Sequence, residues 1–436
     1  MLSIISKLKE LPDNKKRVLA NFFSLSFLQA ANYLLPLVTL PYLVRVLGAE
    51  KFGLVSFAQA FIQYFALLTD YGFNLSATRE ISIYREDSQK ISKIFCSVIL
   101  IKFILMILSF VVLYLIVFSF GRFKNDWQIY FLTFGMVVGQ VLFPVWFFLG
   151  MEKMKYITFL NIVAKIVFTV LIFLSIKNVS DYIYVPLVNS LGFIIAGILG
   201  LWIVFKNFGV NFKLPAIEDI KHQFTSGWHI FISTIAISLY TASNTFILGL
   251  FTNNTFVGYY AAGDKIVRMA QSFQMPLAQA CYPYISKLSF DSIVQGLKFI
   301  RKSLPIIGFS TFLLSTGLWV AAPSIVNLVL GKEFTESISV VRIQGYIPFI
   351  VGLSTVYANF FLLGFGYTKT WYRIMLTAGT VGLVGGVVFV YFFQMKHIGM
   401  SINALLTEVI VLVLSYSAYA RIRNCLEKKG TIQECR

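Results

Sequence analysis

Twelve stretches of this chain run apolar for about twenty residues or more, the length at which an α-helix crosses the hydrocarbon core of a bilayer. They lie at 18–43, 53–75, 93–119, 128–150, 156–176, 182–205, 225–250, 256–284, 303–330, 338–364, 371–393 and 398–420. Barrel strands are about ten residues long and alternate inward and outward side chains, and these runs do neither. Composition closes off a soluble reading. With 58% hydrophobic residues and only 13% charged ones, too little polar material remains to cover the surface of a soluble domain. The expectation is an all-α integral membrane protein with twelve transmembrane helices.

A net charge of +18 would suit a nucleic-acid binder if the basic residues were clustered. They are instead distributed over short loops, so no nucleic acid is expected. With an even number of crossings both termini share a side. Segments on that side hold 25 of the 37 Lys and Arg, against 7 in the opposite loops and 5 inside spans. The positive-inside rule then places both termini in the cytoplasm. The basic N-terminus leads into an apolar stretch too long for a signal peptide, and residues 2–11 read as a short amphipathic segment on the inner membrane surface. Cys96, Cys281, Cys425 and Cys435 show no metal-ligand or disulfide-framework spacing, so free thiols and no metal site are expected. No stretch outside the spans is long enough for a catalytic domain, and no enzyme is expected.

The polar segment around 206–224 contains Pro215 and separates six spans from six. It divides the chain into an N-lobe, 1–210, and a C-lobe, 211–436. Setting FGLVSFAQA (52–60) over VGYYAAGDK (257–265), an offset of 205, aligns the second span of each half. Halves of six spans have the same orientation, which makes them parallel pseudo-repeats around a central cavity, an arrangement used for alternating access. The alignment matches Gln59 with Asp264 and Gln63 with Arg268, so charge in the second half replaces amide in the first.

An ionisable side chain inside a span costs about 2.5–3.5 kcal/mol, so each needs a partner or a water-filled cavity. The basic residues so placed are Lys102, Lys165, Lys265, Arg268 and Arg342, and the acidic ones are Asp70, Asp264 and Glu408. Asp264, Arg268 and Gln271 share one helical face at i, i+4 and i+7. They form either a structural pair or a substrate contact. Lys265 has no acid at helical spacing, and Lys165 lies deep in its span four residues after Asn161. Both suit a cavity, as does Lys102, while Arg342 at the start of its span can snorkel. Gln59 and Gln63 with Ser56, and Gln29 and Asn32 with Tyr33, suit either sugar binding or hydrogen bonds between helices. Glu408, near Asn403 and Thr407, is the first candidate for coupling to H+ or Na+, with Asp264 and Asp70 next. A static carboxylate is the alternative. Gly192, Ala196, Gly200 and Ala378, Gly382, Gly386 are small-residue stripes that let helices pack closely.

The segments PLVTLPYLVRVLGAEKFGLVSFAQAFIQYF (36–65), DYGFNLSATREIS (70–82) and NTFILGLFTNNTFVGYYAAGDKIVRMAQS (244–272) carry a family likeness. The chain resembles the Wzx/RfbX-type O-antigen, or polysaccharide repeat-unit, flippases. These form the polysaccharide-export branch of the multidrug/oligosaccharidyl-lipid/polysaccharide (MOP) superfamily. The resemblance implies a bacterial inner-membrane flippase moving undecaprenyl-pyrophosphate-linked oligosaccharide to the outer leaflet, for O-antigen, lipopolysaccharide or other surface polysaccharide. It implies no cofactor beyond H+ or Na+, a monomer in membrane lipid, and other polysaccharide-assembly proteins as further partners. Arg45, Gly48, Glu50 and Gly53 carry the likeness without an evident chemical role and read as a gate or turn. A cation-coupled multidrug antiporter is the alternative, disfavoured by five intramembrane bases against three acids. A membrane-embedded glycan polymerase or glycosyltransferase would need an outer domain or acidic metal motif that the sequence lacks.

Overall fold

The computed structural model describes residues 13–429, without the side chains of 13–34, 36, 37, 229, 233, 235–237, 239–242, 275–280, 283 and 427–429. The amphipathic segment expected at 2–11 lies outside the described residues. Fifteen helices are used below: α1 Asp13–Asp70, α2 Phe73–Ile83, α3 Ser88–Ser119, α4 Trp127–Leu142, α5 Val145–Gly150, α6 Met154–Ser175, α7 Tyr184–Phe208, α8 Ile217–Phe251, α9 Asn254–Ser272, α10 Met275–Asp291, α11 Ile293–Val329, α12 Ser337–Gln344, α13 Ile347–Ser354, α14 Thr368–Val387 and α15 Lys396–Lys429. Two π-helical stretches, Thr355–Leu363 and Val388–Phe392, continue α13 and α14.

Among the described residues nine helical stretches are long and apolar enough to cross a membrane. The remaining apolar runs, 18–43, 225–250 and 256–284, fall on α1, α8 and the pair α9 and α10. α3 shows how the environment sorts side chains. Phe103, Ile104, Leu108, Val111, Leu115 and Phe118 are exposed on its outer face while Ser97, Lys102 and Ser109 are buried. That inversion is what lipid demands, because an apolar side chain loses nothing by facing hydrocarbon whereas a polar one needs protein around it. Asp87 starts α3 by accepting hydrogen bonds from the backbone N–H groups of Gln89 and Lys90, at 3.1 and 3.0 Å.

The chain forms two compact units. One comprises residues 1–39 and 58–235, the other 40–57 and 236–436. In the first unit α7 packs on α4 and α6. Its core gathers Phe95, Trp146, Phe147 and Phe148, with ring centroids of Phe95 and Trp146 5.6 Å apart. The polar stretch before α8 is strapped to α3, since Ser92 Oγ accepts the backbone N–H of Asn211 at 3.2 Å. In the second unit α15 packs on α12, α13 and α14, and Phe360, Phe361, Phe365, Tyr367 and Tyr419 fill the core. Cys96 and Cys281 are free thiols. Cys425 is disulfide-bonded, contrary to the free thiol expected, because one bonded pair leaves no spacing signature.

Residues 40–57 explain why a piece of α1 belongs to the second unit. Gly48 breaks α1 with φ 67 and ψ 174, a region open essentially to glycine alone. The arm beyond it, from Ala49, crosses α9 with no side chain at the crossing. A Cβ on Gly53 would lie 1.8 Å from the Asn254 carbonyl oxygen, and one on Gly258 would lie 2.0 Å from that of Ala49. The offset of 205 maps Ala49 onto Asn254 and Gly53 onto Gly258. Residues 205 apart in the sequence therefore make reciprocal close approaches, Gly53 to Asn254 and Gly258 to Ala49.

Candidate functional site

A cavity of about 320 Å³ lies inside the second unit. Its charged wall comes from α9, whose first turn is fixed by Asn253 accepting the backbone N–H of Phe256 at 3.1 Å. From that start Asp264, Arg268 and Gln271 follow on one face and all three line the cavity. Arg268 Nε donates to Asp264 Oδ2 within the helix, so the structure contains the pair expected from i, i+4 spacing and also presents it to the cavity. Lys265, one position on, holds its Nζ 4.9 Å from the centre of the Phe52 ring.

Glu408 on α15 lines the same cavity, with Thr407 beside it. Its position follows from the small-residue stripe on α14. Asn403 Nδ2 donates to the Gly382 carbonyl at 2.9 Å and Thr407 Oγ1 to the Asn403 carbonyl at 2.7 Å. The close approach leaves no room for a side chain at Gly385, where a Cβ would stand 2.4 Å from Asn403 Oδ1. Gly192, in the other stripe, likewise faces the Ala164 carbonyl, at 2.9 Å from its would-be Cβ.

The remaining polar lining had no individual signal in the sequence. Asn244 enters from α8, Trp371 from α14, and Thr355 and Asn359 from the π-helical stretch. A π-helical turn shifts the faces of the helix after it, and such turns often mark functional sites. Charge, carboxamides and one indole ring around a single cavity suit a polyhydroxylated ligand, whose hydroxyls exchange hydrogen bonds and whose apolar ring faces stack on an aromatic. Among the described lining residues the ionisable side chains are two carboxylates and one guanidinium.

The first unit holds a smaller cavity of about 150 Å³, lined by Lys165, Asn161, Asn189, Thr39, Phe168 and Phe193 among others. Asn161 Nδ2 also donates to the Ile157 carbonyl at 2.9 Å. Lys102 and Asp70 meet in the same unit, with Nζ 3.7 Å from Oδ1 and Lys102 1% exposed. Asn74 Nδ2 donates to the same Asp70 oxygen at 2.9 Å. Gln59 is half-buried and Gln63 exposed. The side chains of Gln29 and Asn32 lie outside the described residues. Arg342 stacks over Trp319 at 5.6 Å.

This is a multi-pass bacterial membrane protein with the fold of the MOP transporters. It aligns with a multidrug resistance MATE family transporter of the MOP superfamily in the inward-facing conformation with a TM-score of 0.72, at 11% identity over 91% of this chain and 96% of the other. With the lipid II flippase MurJ in an inward closed conformation the TM-score is 0.67, at 15% identity over 92% and 87%. The family model described as polysaccharide biosynthesis protein matches residues 18–289. A protein of Escherichia coli (strain K12) named "Putative O-antigen transporter" is 32% identical over 398 residues, 91% of this chain and 95% of the relative. One of the same name from Shigella dysenteriae is 29% identical over 401 residues, 91% and 99%. The chain belongs to the polysaccharide biosynthesis protein family.

Proposed function

We propose that the protein is a flippase for lipid-linked oligosaccharide repeat units, the undecaprenyl-pyrophosphate-linked precursors of O-antigen or another surface polysaccharide. It works by alternating access between two six-helix halves of a twelve-span monomer in the bacterial inner membrane. It is a transporter and not an enzyme, as the names of its relatives agree. The observation that carries the reading is the second-unit cavity, where Asp264, Arg268, Glu408, Asn359 and Trp371 place hydroxyl-binding groups and a stacking surface within a membrane helix bundle. The cavity takes sugars, while Lys165 in the first unit, set among Asn161, Asn189 and apolar side chains, is suited to the anionic phosphate end.

Reconstituted protein is expected to move a fluorescent undecaprenyl-pyrophosphate-linked oligosaccharide between leaflets, and Lys165→Ala to slow this about tenfold at equal abundance. Replacement by Arg is milder because charge survives. Protein-free rates in the wild type would end the flippase reading, and full activity in Lys165→Ala would end the role given to that lysine. The second reading, a cation-coupled multidrug antiporter, is favoured by the two cavity carboxylates. Efflux of ethidium in place of sugar transport by the same vesicles would select it.

The orientation belongs to the proposal as well: both termini and the segment around Lys213 face the cytoplasm, from the 25 to 7 distribution of basic residues. Cysteines introduced at positions 213 and 253 are expected to react with an impermeant maleimide from opposite sides of the membrane. Labelling of position 213 from outside intact cells reverses the topology.

A further inference from the structure

The motif residues Arg45, Gly48 and Gly53 play no part in the cavity, and their surroundings give them a different task. The second arm of α1 starts at Ala49, directly after Gly48, and the N–H groups of a helix's first turn need acceptors from outside the helix. The equivalent helix, α9, has one in its own chain: Asn253, the residue aligned with Gly48, accepts from Phe256 N–H at 3.1 Å. Glycine at 48 has no side chain to do this. The acceptor is Glu333 instead, 284 residues away, whose Oε1 takes the Ala49 N–H at 3.1 Å. A carboxylate there also meets the positive end of the helix dipole.

Three more contacts hold the same corner within the second unit, one of them to the Lys332–Phe334 turn that carries Glu333. The Arg45 guanidinium donates to the Leu328 carbonyl near the end of α11. The Phe52 ring packs edge-on against Phe334 with centroids 6.2 Å apart, and Lys265 covers the Phe52 ring. Gly48 also leaves the space that Glu333 fills, since a Cβ there would stand 2.7 Å from Oε1.

The geometry points to Glu333 as a detachable cap: a latch that holds the 45–57 corner of α1 against the Lys332–Phe334 turn of the same unit in this state and releases it in another state of the transport cycle. A helix capped by its own residue stays capped wherever it moves. A helix capped by a distant loop loses that hydrogen bond when the two part, so docking and helix-end stability change together. Gly48 makes the dependence complete because no local side chain can substitute. The latch goes beyond the flippase reading but its cycle arm uses the same assay.

The test has two arms on the full-length protein in lipid vesicles. In the first, amide hydrogen exchange is followed by mass spectrometry. Glu333→Ala is expected to speed exchange over residues 45–57 about fivefold or more, and Glu333→Gln, which keeps an acceptor oxygen, by less. The core segment 356–365 is expected to exchange as in the wild type. Unchanged exchange at 45–57, or equal acceleration in the core, overturns the cap. In the second arm, Ala49→Cys with Glu333→Cys is bridged by a short bis-methanethiosulfonate reagent. Bridging is expected to stop transport of the lipid-linked oligosaccharide and reduction to restore it. Transport at the unbridged rate by the bridged protein overturns release and leaves a static cap. A wild type inert in the flipping assay counts against the flippase reading, and the latch then stands or falls on the exchange result.

Discussion

In proteoliposomes with an imposed proton or sodium gradient, Glu408→Gln is expected to move substrate no faster than the wild type does without a gradient. The wild type should be accelerated. Glu408 lines the second-unit cavity with the Asp264 and Arg268 pair, so two carboxylates face one guanidinium there and a bound proton or sodium ion would change the balance among them. A site that gains by binding a proton or sodium ion in one state and releasing it in another couples that ion to the cycle. Glutamine keeps size and a hydrogen-bonding oxygen but cannot ionise, so the ratio of transport with a gradient to transport without one should fall to about one even where the rate without a gradient also drops. Glu408→Asp should respond in part. A Gln variant that still responds in full assigns Glu408 a packing role and moves the search to Asp264.

Lys102→Met is expected to destabilise the protein by about 3–5 kcal/mol, the cost of stranding one partner of a buried ion pair. Lys102 is 1% exposed and its Nζ lies 3.7 Å from Asp70 Oδ1. Removing the lysine leaves a carboxylate with Asn74 as its remaining described hydrogen-bond partner. Lys102→Met with Asp70→Leu should recover most of the loss, because two apolar side chains in one place cost little where two opposite charges cost desolvation. Thermal unfolding in detergent measures both. A double variant no more stable than the single one would mean that the pair is not the unit of stability, and a normal single variant would mean that Asp70 is not stranded.

The stripe Asp264, Arg268 and Gln271 was legible because helical periodicity is local: four residues along an α-helix bring two side chains to one face whatever the fold. Glu408 was legible as an unusual residue but not as a neighbour of that stripe, since the approach of α15 depends on glycines in α14. Asp70 and Lys102 were each visible as buried charges. Their pairing was not, because the turn at Tyr71 and Gly72 and the whole of α2 lie between them. Trp371 sits beside other aromatic residues, and the π-helical stretch that turns Asn359 to the cavity has no sequence marker. The role of Glu333 was invisible for a simpler reason. It binds a backbone N–H, which every residue except proline carries.

The crossing of Gly53 and Gly258 constrains which substitutions the chain tolerates there. A Cβ on Gly53 would press on the Asn254 carbonyl oxygen, and one on Gly258 on that of Ala49. Both obstacles are main chain, so no side-chain substitution in the facing helix removes them. Each glycine therefore holds its place on account of the other helix's backbone, and neither position can gain a side chain unless the two helices move apart.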